Sequence, residues 1–154
     1  MKSVEQYLKE ISPLCRQQNF QPAIALLKQA VQKYPDNEVL LGLLASCYQQ
    51  IGMLDQAQEL YGSIVAINPQ NYLAVHQQGL IDFQKGRWER ALQLWENLLV
   101  HPDDFLTKYY AAVCYEQLGR TLDARKLTLE AITAVPAEHP IYPEILNFKE
   151  KLGE

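Results

Sequence analysis

Three cysteines and three histidines are the side chains best suited to redox, metal or nucleophilic chemistry in this chain. Cys15, Cys47 and Cys114 stand far apart, with no CxxC pair, so neither a disulfide framework nor a zinc site can be read from them. They are expected to be reduced thiols acting as small hydrophobes. His76, His101 and His139 share no metal-ligand spacing either. There is no Ser/His/Asp order, no glycine-rich phosphate loop and no paired-carboxylate motif. The expectation is a protein that is not an enzyme and needs no cofactor or metal.

Whole-chain properties narrow the remaining classes. The chain has 154 residues, with Lys+Arg 14 against Asp+Glu 18 and a formal net charge of −4. That acidic balance argues against a dedicated nucleic-acid binder, which needs a basic stripe. No apolar run reaches the roughly 18 residues of a membrane span, so no membrane insertion is expected. Glu5, Lys9 and Glu10 fall where a signal peptide would need an uncharged core, which makes the cytoplasm the default expectation. On length, the prior is one domain over residues 1–154.

The elements that must position any functional surface come from an internal period. Alanines recur at Ala23, Ala57, Ala91 and Ala124, prolines at Pro35, Pro69, Pro102 and Pro136, and glycines at Gly52, Gly86 and Gly119. Each series repeats at 33 or 34 residues. A small alanine lets two helices approach closely. Glycine reaches positive φ and ends a helix, and proline stops the next one. Between these marks apolar residues keep helical spacing, as in Leu54, Ala57, Leu60, Tyr61 and Ile64.

This pattern resembles the tetratricopeptide repeat family, whose repeat reads W-x2-L-G-x2-Y, then A-x3-F, then P. The second repeat matches best, through Leu41, Leu44, Ala45, Tyr48, Gly52, Ala57, Tyr61 and Pro69. The third offers Gly79, Gly86, Trp88, Ala91, Trp95 and Pro102, and the fourth Ala112, Tyr115, Gly119, Ala124, Ala131 and Pro136. The first is weakest, with Tyr7, Ala23, Leu27, Ala30 and Pro35. The resemblance implies an all-α, right-handed α-solenoid of about four helical hairpins. Their boundaries fall at about 4–37, 38–71, 72–104 and 105–138. A capping helix is expected at about 143–152, from Pro143 and the apolar Ile145, Leu146, Phe148 and Leu152.

Three departures from the pattern carry structural expectations. Ala91 to Pro102 is 11 residues where the other repeats have 12, so the second helix of repeat three should end short or turn tightly. Pro13 should kink or restart the first helix, or Ser12-Pro13 should form a cap and first turn. Gln18 stands where the other repeats have glycine.

In such a family the first helix of each hairpin lines a concave groove. The resemblance therefore places Val39, Gly42, Leu43 and Ser46 of repeat two there, and no Lys, Arg, Asp or Glu in the groove of repeats two and three. Members that capture carboxylate-ending chaperone tails carry a basic and amide clamp. Here those positions hold Leu8, Ser12, Leu43, Leu73 and Gln77, and the match fails. The candidate partner-binding residues are Leu73, His76, Gln77, Leu80, Phe83, Leu106, Tyr109, Tyr110 and Val113. Aliphatic and aromatic side chains flanked by amides suit an apolar peptide or helix of another protein. Alternatively, several of them pack against a neighbouring repeat or the capping helix. The expected function is an adaptor, assembly factor or chaperone. The rivals are a self-associating homodimer without foreign ligand and an RNA-binding helical repeat, which the neutral groove disfavours.

Overall fold

A computed structural model describes residues 1–153, and among them the regular structure is α-helical. The helices are α1 (Val4–Arg16), α2 (Phe20–Lys33), α3 (Glu38–Gln50), α4 (Leu54–Ile67), α5 (Tyr72–Gln84), α6 (Trp88–Trp95), α7 (Phe105–Gln117), α8 (Thr121–Ala134) and α9 (Tyr142–Leu152). Packing divides the chain into two compact units, Met1–Gln77 and Gln78 onward.

The first helix of each pair starts in the same way. Ser3, Asn37, Asn71 and Asp104 each place a side-chain oxygen on the backbone N–H three residues on, at 3.0 to 3.2 Å. Each thereby satisfies one of the amide groups that a helix N-terminus leaves unpaired. At Ser3 the bond is reciprocated, with Gln6 Oε1 accepting from the Ser3 amide at 2.8 Å.

The ends are equally regular. Gly52, Gly86 and Gly119 adopt φ of 80°, 72° and 75°. The amide of the residue after each donates back to the carbonyl five positions earlier, at 2.8 Å in Met53 to Tyr48, Arg87 to Asp82 and Arg120 to Tyr115. The first pair closes with the same bond, Asn19 to Leu14 at 2.8 Å, with Gln18 at φ 58° in the glycine's place.

Pro13 does not restart the chain as a new helix, and no cap forms at Ser12, because α1 runs continuously from Val4 to Arg16 with Pro13 inside it. The hydrogen bond proline cannot make would have ended on Lys9, which is exposed, so water can serve that carbonyl. The shortened repeat behaves as its spacing predicts. α6 is 8 residues long where α2, α4 and α8 are each 14. Tight bonds from Leu98 and Leu99 to the Trp95 carbonyl, at 2.8 and 3.1 Å, follow it.

In the first unit the core is built from Ile11, Ala23, Leu27, Ala30, Leu40, Ala45, Ala57 and Ile64. The turn after α4 is tied to the start of α3, where Glu38 Oε1 accepts from Asn68 at 3.0 Å and from Asn71 at 2.9 Å. In the second unit Trp95 is fully buried beside Ala91 and Leu98. There α9 closes over α7 and α8, with Ile145 joining Tyr109, Ala131 and Val135 in a core ringed by Phe105, Tyr110, Val113 and Phe148.

Candidate functional site

Helices α3 and α4 and the first turns of α5 line an open cavity of about 420 Å³ in the first unit. Its walls are Glu38, Val39, Gly42, Leu43 and Ser46 from α3, Tyr61 and Ile64 from α4, and Asn71, Leu73, Ala74 and Gln77 around the start of α5. Gly42, without a side chain, leaves one wall of the cavity bare. A Cβ there would meet nothing nearer than Ile64 Cδ1 at 3.9 Å. The rim is apolar and open, with Val39 58% and Leu73 69% exposed. Leaving two aliphatic side chains this accessible beside a cavity forgoes burial worth about 1.5–3 kcal/mol for each fully covered side chain.

Polar groups enter at two fixed places. At one end stands the Glu38 carboxylate, held by Asn68 and Asn71 and the sole charge among these lining residues. On the α5 side Gln77 Oε1 accepts from Gln49 Nε2 at 3.2 Å, and the Tyr61 hydroxyl donates to Gln49 Oε1 at 2.7 Å. Burial, and then the neighbouring Cys47, push the Tyr61 hydroxyl up to about 12, so it stays a donor and fixes this chain of amides. The arrangement can seat an apolar side chain, offer a carboxylate to a donor beside it, and hydrogen-bond a backbone through Gln77 and Ser46.

Of the residues singled out from the sequence, Leu73 and Gln77 line this cavity, and His76 lies half-buried in the same unit. The others belong to the second unit. Leu80 and Leu106 are half-buried. Phe83 and Tyr110 stack edge-on at 5.2 Å, and each lies 6.5 Å from the Trp95 ring, so both serve an aromatic core. Val113 packs against the cluster beneath α9. Tyr109 requires correction as an accessible contact, being only 6% exposed. Its hydroxyl donates to Glu144 at 3.0 Å and its ring meets Phe148 edge-on at 5.7 Å, both on α9.

Sequence reasoning did not reach Glu38, Tyr61, Ile64, Asn71 and Ala74. Asn71 carries a readable signal, since an Asn ahead of an apolar helical run marks an N-cap. Tyr61 and Ile64 occupy pattern positions normally assigned to the core and are largely buried, yet each also turns one side to the cavity.

A shallower depression in the second unit is lined by Glu89, Leu92, Gln93, Glu96, Leu99, Tyr115, Leu118 and Arg120. Asp82, also in that unit, is fully buried with neither carboxylate oxygen hydrogen-bonded. Arg87 and Arg90 stand 3.6 and 3.9 Å from it and balance its charge. Among the described residues no cluster of His, Cys, Asp or Glu could hold a metal ion, and no helix is long and apolar enough to cross a membrane.

Comparison with known proteins agrees with the hairpin architecture. Two tetratricopeptide repeat profiles match the chain, over residues 14–78 and 76–139. Among curated proteins none matches in sequence. Among solved structures, a crystal structure of the MamA protein superposes with a TM-score of 0.79 at 17% identity, covering 95% of this chain and 84% of that one. MamA residues 41 to the end from Desulfovibrio magneticus RS-1 superpose at 0.81 and 14% identity, covering 96% and 93%. MamA AMB-1 gives 0.73 at 22%, covering 96% and 87%. The likeness is one of fold, that of an all-α helical-repeat solenoid.

Proposed function

The chain belongs to the tetratricopeptide repeat family of protein-interaction modules, and on that premise we propose that it binds a partner protein by seating an apolar segment in the cavity between α3 and α5. Its role is that of an adaptor, assembly factor or chaperone. The observation that carries this reading is the pairing of the open cavity at Gly42 with the exposed Val39 and Leu73 on its rim. The partner segment supplies one aliphatic or aromatic anchor and hydrogen-bonds Gln77 and Ser46 through its backbone. Such an anchor in a desolvated pocket carries most of the energy in interfaces of this kind.

Gly42→Leu tests the site with little risk to the fold. The new side chain projects into the cavity and takes up part of its floor, and leucine suits a helix better than glycine by about 1 kcal/mol. Capture of partners from a native lysate should be lost with Gly42→Leu and with Leu73→Glu, while both variants keep the wild-type helical circular dichroism. Undiminished capture by Gly42→Leu would remove the cavity from the binding surface.

A homodimer through the same exposed residues is the second reading, supported by the further exposure of Ile67 and Tyr72 beside Leu73. Sedimentation equilibrium separates the two, because only self-association shifts mass with the concentration of the pure chain and is abolished by Leu73→Glu.

A further inference from the structure

The geometry points to Cys15 and Cys47 as a redox pair that closes to a disulfide between α1 and α3 when a hydroperoxide reaches Cys15. Their sulfur atoms lie 3.9 Å apart, in contact across the first helices of the first two hairpins, although 32 residues separate them in sequence. The sequence alone gives no hint of this, since neither spacing nor motif joins them. Both are free thiols, Cys15 half-buried and Cys47 buried, and both lie within the first compact unit. A disulfide needs about 2.05 Å between sulfurs, so each sulfur must move by roughly 1 Å, within reach of small side-chain rotations.

Their unequal burial sets the order of events. Cys15 is the partly exposed residue of the pair and so the first a small oxidant meets, whereas Cys47 is 2% exposed. As thiolate, Cys15 attacks one oxygen of the peroxide. The O–O bond breaks, an S–O bond forms, and the second oxygen leaves as water after taking a proton. Cys47 then attacks the sulfenic sulfur, the S–S bond forms, and the remaining hydroxyl leaves with the Cys47 proton as a second water. In sum, two thiols and one peroxide give one disulfide and two waters, the two electrons passing from sulfur to oxygen. Burial, and then the neighbouring Cys15, push the Cys47 thiol up to about 12. Cys114 is buried in the second unit and serves as the internal control.

The test uses the folded full chain at low micromolar concentration, titrated with hydrogen peroxide and then alkylated under denaturing conditions. The expected product is about 2 Da lighter than the reduced chain, takes up one alkyl group rather than three, and yields a linked Cys15–Cys47 tryptic peptide. Cys114→Ala should behave like wild type apart from taking up no alkyl group. Cys47→Ala should instead hold Cys15 as a sulfenic acid that dimedone traps. The same oxidation in guanidinium should form the linked peptide at least about tenfold more slowly, because the fold supplies the proximity. Three alkylated thiols after peroxide, Cys15–Cys15 dimers in place of the internal bond, or equal rates in folded and denatured chain would each overturn the assignment.

Discussion

The indole of Trp95 occupies the volume in which a side chain at Gly79 would begin. A Cβ built on Gly79 would overlap the five-membered ring of that indole. At the equivalent places repeat two pairs Ala45 with Tyr61 and repeat four pairs Ala112 with Thr128. Repeat three therefore moves bulk from one helix to the other, and its small residue must be glycine.

Gly79→Ala should accordingly cost about 1–3 kcal/mol, the usual toll of overpacking a close-packed core. For a chain of this size that is a fall of roughly 3–10 °C in Tm by calorimetry. Combined with Trp95→Phe it should cost less than the sum of the single changes, since both act on one space. Gly42→Ala is the control. Its Cβ meets only Ile64 Cδ1 at 3.9 Å, so it should leave Tm unchanged or raise it.

Gln18 holds φ at 58° where the corresponding turns use Gly52, Gly86 and Gly119. An L-residue in this region carries strain of about 1–2 kcal/mol. Gln18→Gly should recover about 1 kcal/mol of it, less the added entropy of the unfolded chain, and raise the urea midpoint without changing the slope. Gly52→Gln should lose a similar amount.

Stability should decline on the alkaline side. Burial pushes Cys114 up to about 12, and burial together with Cys15 does the same for Cys47. Burial raises Tyr61, Tyr109 and Tyr110 above the ordinary tyrosine value of 10.0, with Glu144 adding to the last two. Each group keeps its proton in the folded chain at pH values where the unfolded chain has lost it. Unfolding therefore releases protons, and the stability present below about pH 9 is lost progressively as pH rises toward 12. Of the nine tyrosines, three should ionise late, so tyrosinate absorbance at 295 nm should show a delayed fraction that titrates normally in urea.

Tyr109→Phe should loosen α9 without removing it. The variant loses the hydroxyl bond to Glu144 but keeps the ring against Phe148, a cost of about 0.5–1.5 kcal/mol. Phe148→Ala should cost more, and should increase binding of a hydrophobic dye by uncovering Phe105 and Val113. Amide exchange across Tyr142–Leu152 distinguishes the two, being faster in both variants and fastest in Phe148→Ala.

Much of the fold was legible because each punctuating residue acts through its own backbone. Ala57 and Ala124 allow close helix approach, Gly52 and Gly119 supply positive φ, and the residue missing before Pro102 shortens α6. The first turn also held with Gln18 in place of glycine, since the capping bond from Asn19 to Leu14 depends on backbone alone. What stayed hidden depends on contacts between side chains of different helices. Asp82 and Lys108 sit buried where the family pattern has aromatic side chains, and only the fold brings them Arg87, Arg90 and Glu130. Tyr109 reads as a groove residue until α9 is laid over it. The cavity needs α3, α4 and the start of α5 together, with Gly42 leaving one wall bare, and Val39 or Leu73 read alone look like any other apolar helix position.

Both tryptophans of the chain, Trp88 and Trp95, lie in the second compact unit. Trp95 is fully buried against Phe83 and Tyr110, whereas Trp88 is half-buried and touches Phe83 edge-on at 5.4 Å. Tryptophan fluorescence, excited selectively over tyrosine, is thus a built-in reporter of one unit only. It is blind to melting of α1 to α4, which hold the cysteine pair and most of the cavity wall, while circular dichroism at 222 nm records both units. A gap between the two curves would measure directly how far the first half of this chain stands or falls independently of the second.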